Sequence, residues 1–145
     1  NNFISITGVQ LEVGEYDINS IPPFQYESYG DNLSRCQRYL YDPLRGSTSF
    51  GVIGHGACLT GTICRAVIYA PAEMRTRPTI VTSGNIEVAG DGFAPVVTST
   101  ATSVRTGTQA MEIQFAVSSG LTVGETAIIR RHNNDTAQFR LDAEL

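Results

Sequence analysis

The sequence contains no lysine. All ten of its basic residues are arginine, against fourteen acidic residues, and the formal net charge is −4. This balance argues against a nucleic-acid partner, because a phosphate backbone normally demands a basic face. The chain also lacks an apolar run of the roughly 20 residues that a membrane-spanning helix needs. We therefore predict no nucleic-acid partner and no membrane insertion. The exclusive use of arginine has two explanations: compositional drift, or a need for planar bidentate contacts at subunit interfaces or to acidic sugars.

The sequence also lacks a recognisable signature of catalysis. Glycoside hydrolysis needs two carboxylates roughly 5 to 10 Å apart, whereas the acids of this chain are scattered singly. No Gly-x-Ser-x-Gly elbow and no phosphate-binding loop is present. We predict that the protein is not an enzyme and needs no cofactor. The acids predicted to lie on solvated surface are Asp42, Glu73, Glu87, Asp91 and Glu112.

Three cysteines cannot all pair within one chain. Cys58 and Cys64 flank Gly61 symmetrically, so a hairpin centred there would place them opposite each other. A disulfide between them is geometrically conceivable, but small free core residues are the favoured interpretation. We predict that Cys36 packs on the apolar side of a short helix.

Most of the chain reads as short strands separated by turn signals. Residues 110–117 and 136–145 alternate between apolar and polar side chains, so each has one face suited to burial. The face at the end of the chain suggests packing against another part of the assembly, including another subunit. We also predict a bent or bulged strand at the glycines of 49–58, a hairpin joining 79–82 to 85–88, and pairing of 136–145 with 126–131.

One short helix is expected ahead of these strands. Asp31 or Asn32 is predicted as its N-cap, and Asp42-Pro43 marks a bend after it. Residues 1–29 are interpreted as the final strand or strands of an upstream module plus a linker, and residues 30–145 as one C-terminal domain. The pattern favours an all-β fold, specifically an antiparallel β-sandwich of the jelly-roll kind with one short N-terminal helix.

Four segments are distinctive in their order and spacing. They are Gly8-Val-Gln-Leu-Glu-Val-Gly14, Cys36-Gln-Arg-Tyr-Leu-Tyr41, Met74-Arg-Thr-Arg-Pro-Thr79 and Ser118-Ser-Gly-Leu-Thr-Val-Gly124. In this order they resemble the C-terminal receptor-binding domain of bacteriophage tail fibres and tailspikes. In that family a "VQLE-G" strand closes one module and a "CQRYY" segment opens the next. This chain departs from the pattern where Leu40 separates Tyr39 from Tyr41.

The resemblance implies a homotrimer at the tip of a virion tail fibre, joined to an upstream segment of the same polypeptide and synthesised in the bacterial host cytoplasm. Its implied function is to recognise a host surface polysaccharide, capsule or lipopolysaccharide, during adsorption. Threefold repetition would raise the avidity of weak glycan sites. Two alternatives stay open: a tailspike fragment whose depolymerase site lies upstream or between subunits, and a purely structural trimerisation cap.

Three places carry groups that could contact a sugar, although turn chemistry or interface packing would also account for each. The candidate glycan-binding residues are Tyr41, Asp42 and Arg45; Asp91 and Phe93; and the turn His132, Asn133, Asn134 and Asp135. We predict no metal site, with one alternative: His55 on a threefold axis could supply three imidazoles to a metal or chloride. A lone histidine between glycines more commonly occupies a turn.

Overall fold

A computed structural model describes residues 13–17, 19–20, 22–23, 26–47, 49–133 and 136–144. The strand expected in residues 1–12 lies outside the described residues, as do Asn134, Asp135 and Leu145. Within the described ranges the chain is mostly β, so the predicted all-β class with one short helix is confirmed. The elements are α1 Tyr29–Gln37, β1 Leu40–Tyr41, β2 Val52–Thr60, β3 Ile63–Tyr69, β4 Thr79–Ser83, β5 Ile86–Gly90, β6 Phe93–Thr106, β7 Ala110–Val117, β8 Thr126–Arg131 and β9 Gln138–Asp142.

Six strands close into an antiparallel barrel rather than forming two facing sheets as predicted. Their order is β2-β3-β7-β6-β5-β8, and β8 pairs back onto β2. Irregular registers in β2, β5 and β6 bend those strands, and bending of this kind allows a sheet to curl onto itself. The bulge in β2 falls between Val52 and Gly54, within the predicted glycine-rich stretch.

The remaining strands form a small sheet in the order β1-β9-β4. The predicted pairing of β9 with β8 is wrong, because β9 lies between Leu40–Tyr41 and Thr79–Ser83. The predicted β4–β5 hairpin is also wrong. At Gly84 the chain leaves the small sheet and enters the barrel with φ +69°, and a Cβ there would lie 2.8 Å from the Cα of Ala137. Only glycine fits this crossing without strain.

The small sheet and the barrel share one apolar core. The face of β9 predicted from its alternation is buried, and the Phe139 ring lies 6.2 Å from the ring of Phe115 on β7. The described apolar side chains of β9 and its flanks therefore pack inside their own chain, and packing of this face against another subunit is wrong. The alternation of β7 is confirmed as well: its buried residues are Met111, Ile113, Phe115 and Val117.

Helix α1 lies on the surface with none of its residues buried. Its N-cap is Ser28, whose hydroxyl oxygen accepts the backbone N–H of Asp31 at 3.1 Å, so the predicted cap at Asp31 or Asn32 is wrong. Cys36 is exposed, and its predicted packing role is wrong too. The β2–β3 hairpin does place Cys58 opposite Cys64, and both are free, buried thiols as favoured.

Candidate functional site

A groove of about 370 Å³ lies between α1, β1 and the segment that follows β1. We call it the helix groove. It brings together the first set of predicted residues, Tyr41, Asp42 and Arg45, and adds Arg140 from β9, which the sequence analysis had not connected with them. Its complete lining is Leu33, Cys36, Gln37, Leu40, Tyr41, Asp42, Arg45 and Arg140.

Asp42 is held in place by contacts on both carboxylate oxygens. Oδ1 accepts the backbone N–H of Leu44 at 2.9 Å, and Oδ2 lies 3.6 Å from Arg140 Nε. The buried Leu44 side chain anchors this turn in the core. Asp42 is thus a fixed, partly covered carboxylate rather than the fully solvated one expected from the sequence.

Tyr41 contributes a half-buried ring that packs against the core from the floor of the groove. Burial raises the pKa of its phenol, and the nearby carboxylate of Asp42 raises it further. The hydroxyl therefore stays protonated at neutral pH and can donate a hydrogen bond. Tyr39, in contrast, lies under the guanidinium of Arg75, which sits 5.7 Å from its ring centroid.

Arg45 is an exposed cation on the groove wall. Its backbone N–H donates to the carbonyl of Asp42 at 3.2 Å, which fixes the position of its backbone in the turn. Among the residues that the structure describes, no carboxylate lies within ion-pair distance of its guanidinium. Its charge is available to a ligand.

A second groove, of about 250 Å³, crosses the outside of the barrel. Its lining includes both His55 of β2 and Asp91 of the β5–β6 turn, two residues that the sequence did not connect. Phe93, whose ring was predicted to stack on a sugar next to Asp91, packs against the core, and a Cβ at Gly90 would lie 2.6 Å from its ring. Within the described part of the chain, no cluster of three or more His, Cys, Asp or Glu could hold a metal ion.

The third predicted place is the turn after β8. Its first residue, His132, contacts Glu87 of β5, an acid that was predicted to lie on the surface. Glu87 is only 1% exposed, so that prediction is wrong. Its Oε1 accepts Arg130 Nε at 2.6 Å and its Oε2 hydrogen-bonds to His132 Nδ1. The Arg130 guanidinium also lies 4.7 Å from the ring centroid of Phe50. We call these four residues the Glu87 cluster. Asn133 is exposed beside it.

Two residues at this place were not predicted from the sequence: Phe50, a member of the cluster, and Arg131, which follows Arg130 in the chain. Phe50 has φ 65°, a left-handed backbone conformation that is rare for a bulky residue. Arg131 is buried and donates to three carbonyls, those of Ala137 at 3.1 Å, Ser47 at 2.8 Å and Leu44 at 3.3 Å. Strict alternation along β8 gives the signal for Arg131, because Ala127 and Ile129 point inward and the third such position is an arginine.

The other two acids singled out from the sequence are engaged at the surface. Arg105 and Arg65 both pair with Glu112, and these contacts outweigh desolvation and lower the pKa of its carboxyl. Glu73 accepts a hydrogen bond from the hydroxyl of Thr108 at 2.9 Å. Both arrangements are typical of a polar outer face and bring no second carboxylate into a groove.

No protein-family model, curated protein or solved structure gives a significant match to this chain. None of the helical structure in the described residues has the length and apolar character to cross a bilayer. The likeness to phage tail-fibre domains therefore depends on the sequence motifs, and the function has to be argued from the geometry of the grooves.

Proposed function

We propose that this chain is the receptor-binding tip domain of a bacteriophage tail fibre and binds a host surface polysaccharide in the helix groove. The observation that carries the proposal is the composition of this groove. One concavity is lined by a half-buried tyrosine ring, a fixed carboxylate and an arginine that has no carboxylate partner in the described part of the chain. It lies at the segment that resembles the opening of the phage domains. Concave sites with an apolar floor and a few fixed polar groups are typical of small-ligand binding.

The other two predicted places support binding less well. In the Glu87 cluster the carboxylate already has two partners, and Arg130 lies over Phe50. In the barrel groove, Phe93 packs against the core and is not among the residues that line the groove. The helix groove alone combines a ring with polar groups that keep free bonding capacity.

Self-association as a homotrimer forms part of the proposal. Four exposed apolar residues lie on neighbouring barrel strands: Val52, Val67, Tyr69 and Ile128. His55 pairs with Val67 on one side and with Ile128 on the other, so Val67 and Ile128 flank this histidine on the outer face of β3, β2 and β8. Exposed apolar patches mark interaction surfaces. A second and third copy would cover these residues and present three grooves to one surface.

A tryptophan placed in the groove tests the binding site without touching the core. Cys36 is exposed and lines the groove, so C36W should fill it and weaken binding to host capsule or lipopolysaccharide by at least about tenfold, equivalent to ~1.4 kcal/mol. Ser34 lies on the same helix outside the lining, and S34W is the matched control that should bind normally. Biolayer interferometry on purified polysaccharide gives the affinities.

Three outcomes would contradict the proposal. Equal binding by C36W and the parent chain would show that the helix groove is not the polysaccharide-binding site. Release of new reducing ends from the polysaccharide would favour the depolymerase alternative. A trimer that binds no host polysaccharide or cell would favour the structural cap.

Light scattering tests the trimer. The expected mass is three times 15.6 kDa. V67E should lower this mass because it places a charge among the exposed apolar residues, whereas V104E should not, since Val104 is an exposed valine on β6, across the barrel from β2. A single-chain mass for the unaltered protein would refute the trimer.

A further inference from the structure

We infer that the helix groove selects an anionic saccharide, one whose ring carries a carboxylate that pairs with Arg45. This inference rests on the proposed function and names the chemical class of its ligand. It follows from three observations: the local charge, the contacts of Asp42, and a guanidinium on Arg45 that meets no carboxylate in the described ranges.

The charge of the groove is opposite to that of the chain. The whole chain carries a formal charge of −4. The lining of the groove contains two arginines, Arg45 and Arg140, against the single acid Asp42. A concavity with excess positive charge in an acidic protein favours anionic ligands over neutral ones, and it favours them over the surrounding surface.

The carboxylate of Asp42, the acid in the groove lining, already has partners within the chain. One oxygen of Asp42 accepts a backbone N–H and the other faces Arg140, which together neutralise much of its charge. Asp42 therefore opposes an incoming anion only weakly. It can still orient a sugar hydroxyl through its remaining lone pairs.

Arg45 supplies the unmatched cation. Its position is fixed because Leu44 is buried beside it, its own N–H is bonded to the Asp42 carbonyl, and Gly46 turns the chain away with φ 72°. A guanidinium on such a base presents a planar fork to a carboxylate, and charge-assisted bonds of this kind are roughly twice as strong as neutral ones. Hydroxyls of a neutral sugar could not replace that pair.

The apolar lining explains why the ligand would be a sugar acid rather than a free inorganic anion. Leu33, Leu40 and the ring of Tyr41 offer apolar surface next to the charged groups. A pyranose ring has an apolar face that can cover such a wall, with its carboxylate directed at Arg45. The two parts of the site thus match the two parts of a uronic acid.

Paired polysaccharides test the inference. The probes are bacterial capsular polysaccharides that contain uronic acids, each used in native form and after chemical reduction of its carboxyl groups to alcohols. The native form should bind at least about tenfold more tightly than the reduced form, and rising salt should erode this preference. R45Q should lose the preference while it keeps the weaker binding of the reduced form.

Two variants sharpen the result. R45K keeps the charge but not the planar fork, so it should retain part of the preference. R77Q removes an exposed arginine that lies outside the groove lining and should leave the preference intact. Its use controls for the overall change in net charge.

The possible outcomes distinguish selection of a carboxylate from polysaccharide binding as such. Equal binding of native and reduced forms, or an equal loss of both in R45Q, would overturn the inference and leave polysaccharide recognition standing. Absence of binding to every polysaccharide and to host cells would overturn the proposed function itself. Binding that is lost on removal of phosphate rather than on carboxyl reduction would overturn the carboxylate assignment.

Discussion

The Glu87 cluster and the helix groove contain the same residue types, but their arginines differ in whether they contact a carboxylate of the chain. Each contains an acid, an arginine and an aromatic ring. On the barrel wall, Glu87 is buried and bonded on both oxygens, and Arg130 lies over Phe50. In the groove, Asp42 is likewise engaged, but Arg45 has no carboxylate partner among the described residues. Charges that find partners within the chain stabilise the fold, and a charge that does not is available for binding.

The two regions also differ in how their backbones are held. Every barrel strand has a neighbour on both sides, so its wall is closed. The groove lies beside a two-residue strand and a helix with no buried residue. A ligand can more easily induce adjustment there than in the barrel.

The largest expected effect tests whether the two regions are one folding unit. Phe139 of the small sheet packs on Phe115 of the barrel, so Phe139→Ala should lower the free energy of unfolding by about 3–5 kcal/mol. Because the core is shared, fluorescence and circular dichroism in urea should still report a single transition. Two separate transitions would show that barrel and small sheet fold independently.

A smaller effect is expected from the Glu87 cluster. Glu87→Ala leaves Arg130 and His132 without their shared carboxylate. Both keep some access to water, so we expect a loss of about 2 kcal/mol in urea denaturation rather than the 3–5 kcal/mol typical of a fully buried pair. Polysaccharide binding per folded molecule should not change.

Glu112→Ala is the matched control for that experiment. Glu112 also contacts two cationic side chains, but it lies at the surface, so its removal should lower the stability in urea clearly less than the removal of Glu87 does. Equal losses of unfolding free energy for the two variants would show that the burial of Glu87 does not increase its contribution to stability. A loss of glycan binding in Glu87→Ala would extend the binding site to the barrel wall.

The mildest test compares cysteines in the two regions. Burial raises the pKa of the Cys64 thiol to about 12, and it raises the pKa of Cys58 as well. Cys36 lies exposed in the groove. Iodoacetamide at pH 8 should therefore modify Cys36 alone, as read by mass spectrometry of the intact chain, and a bound polysaccharide should slow that reaction. Modification of all three cysteines in the native protein would refute the closed barrel interior.

Local periodicity predicted the faces of strands well but not their partners. The buried sides of β7 and β9 and the Cys58–Cys64 register all follow from alternation or from a tight hairpin. The crossing at Gly84 and the place of β9 between β1 and β4 depend on contacts between distant residues. Nothing in the alternation of a strand specifies which neighbour it will meet, so barrel and sandwich could not be distinguished.

In the candidate site, too, residues that are close in sequence could be predicted together, whereas residues brought in from distant strands could not. Tyr41, Asp42 and Arg45 are neighbours in sequence and were identified together. Arg140 comes from the far end of the chain and was missed. Glu87 was placed on the surface because its outward strand position usually means solvent. In this fold, Arg130 and His132 cover that position.

The central place of β9 in the small sheet has a consequence for how the protein is made. Leu40 pairs with Asp142, so β1 can form its strand pairing only after β9 has left the ribosome. Among the described strands, β9 is the last to be synthesised. The groove wall contributed by Arg140 is then assembled only after translation has passed β9. A nascent or prematurely terminated chain that ends before β9 would therefore lack this wall of the helix groove.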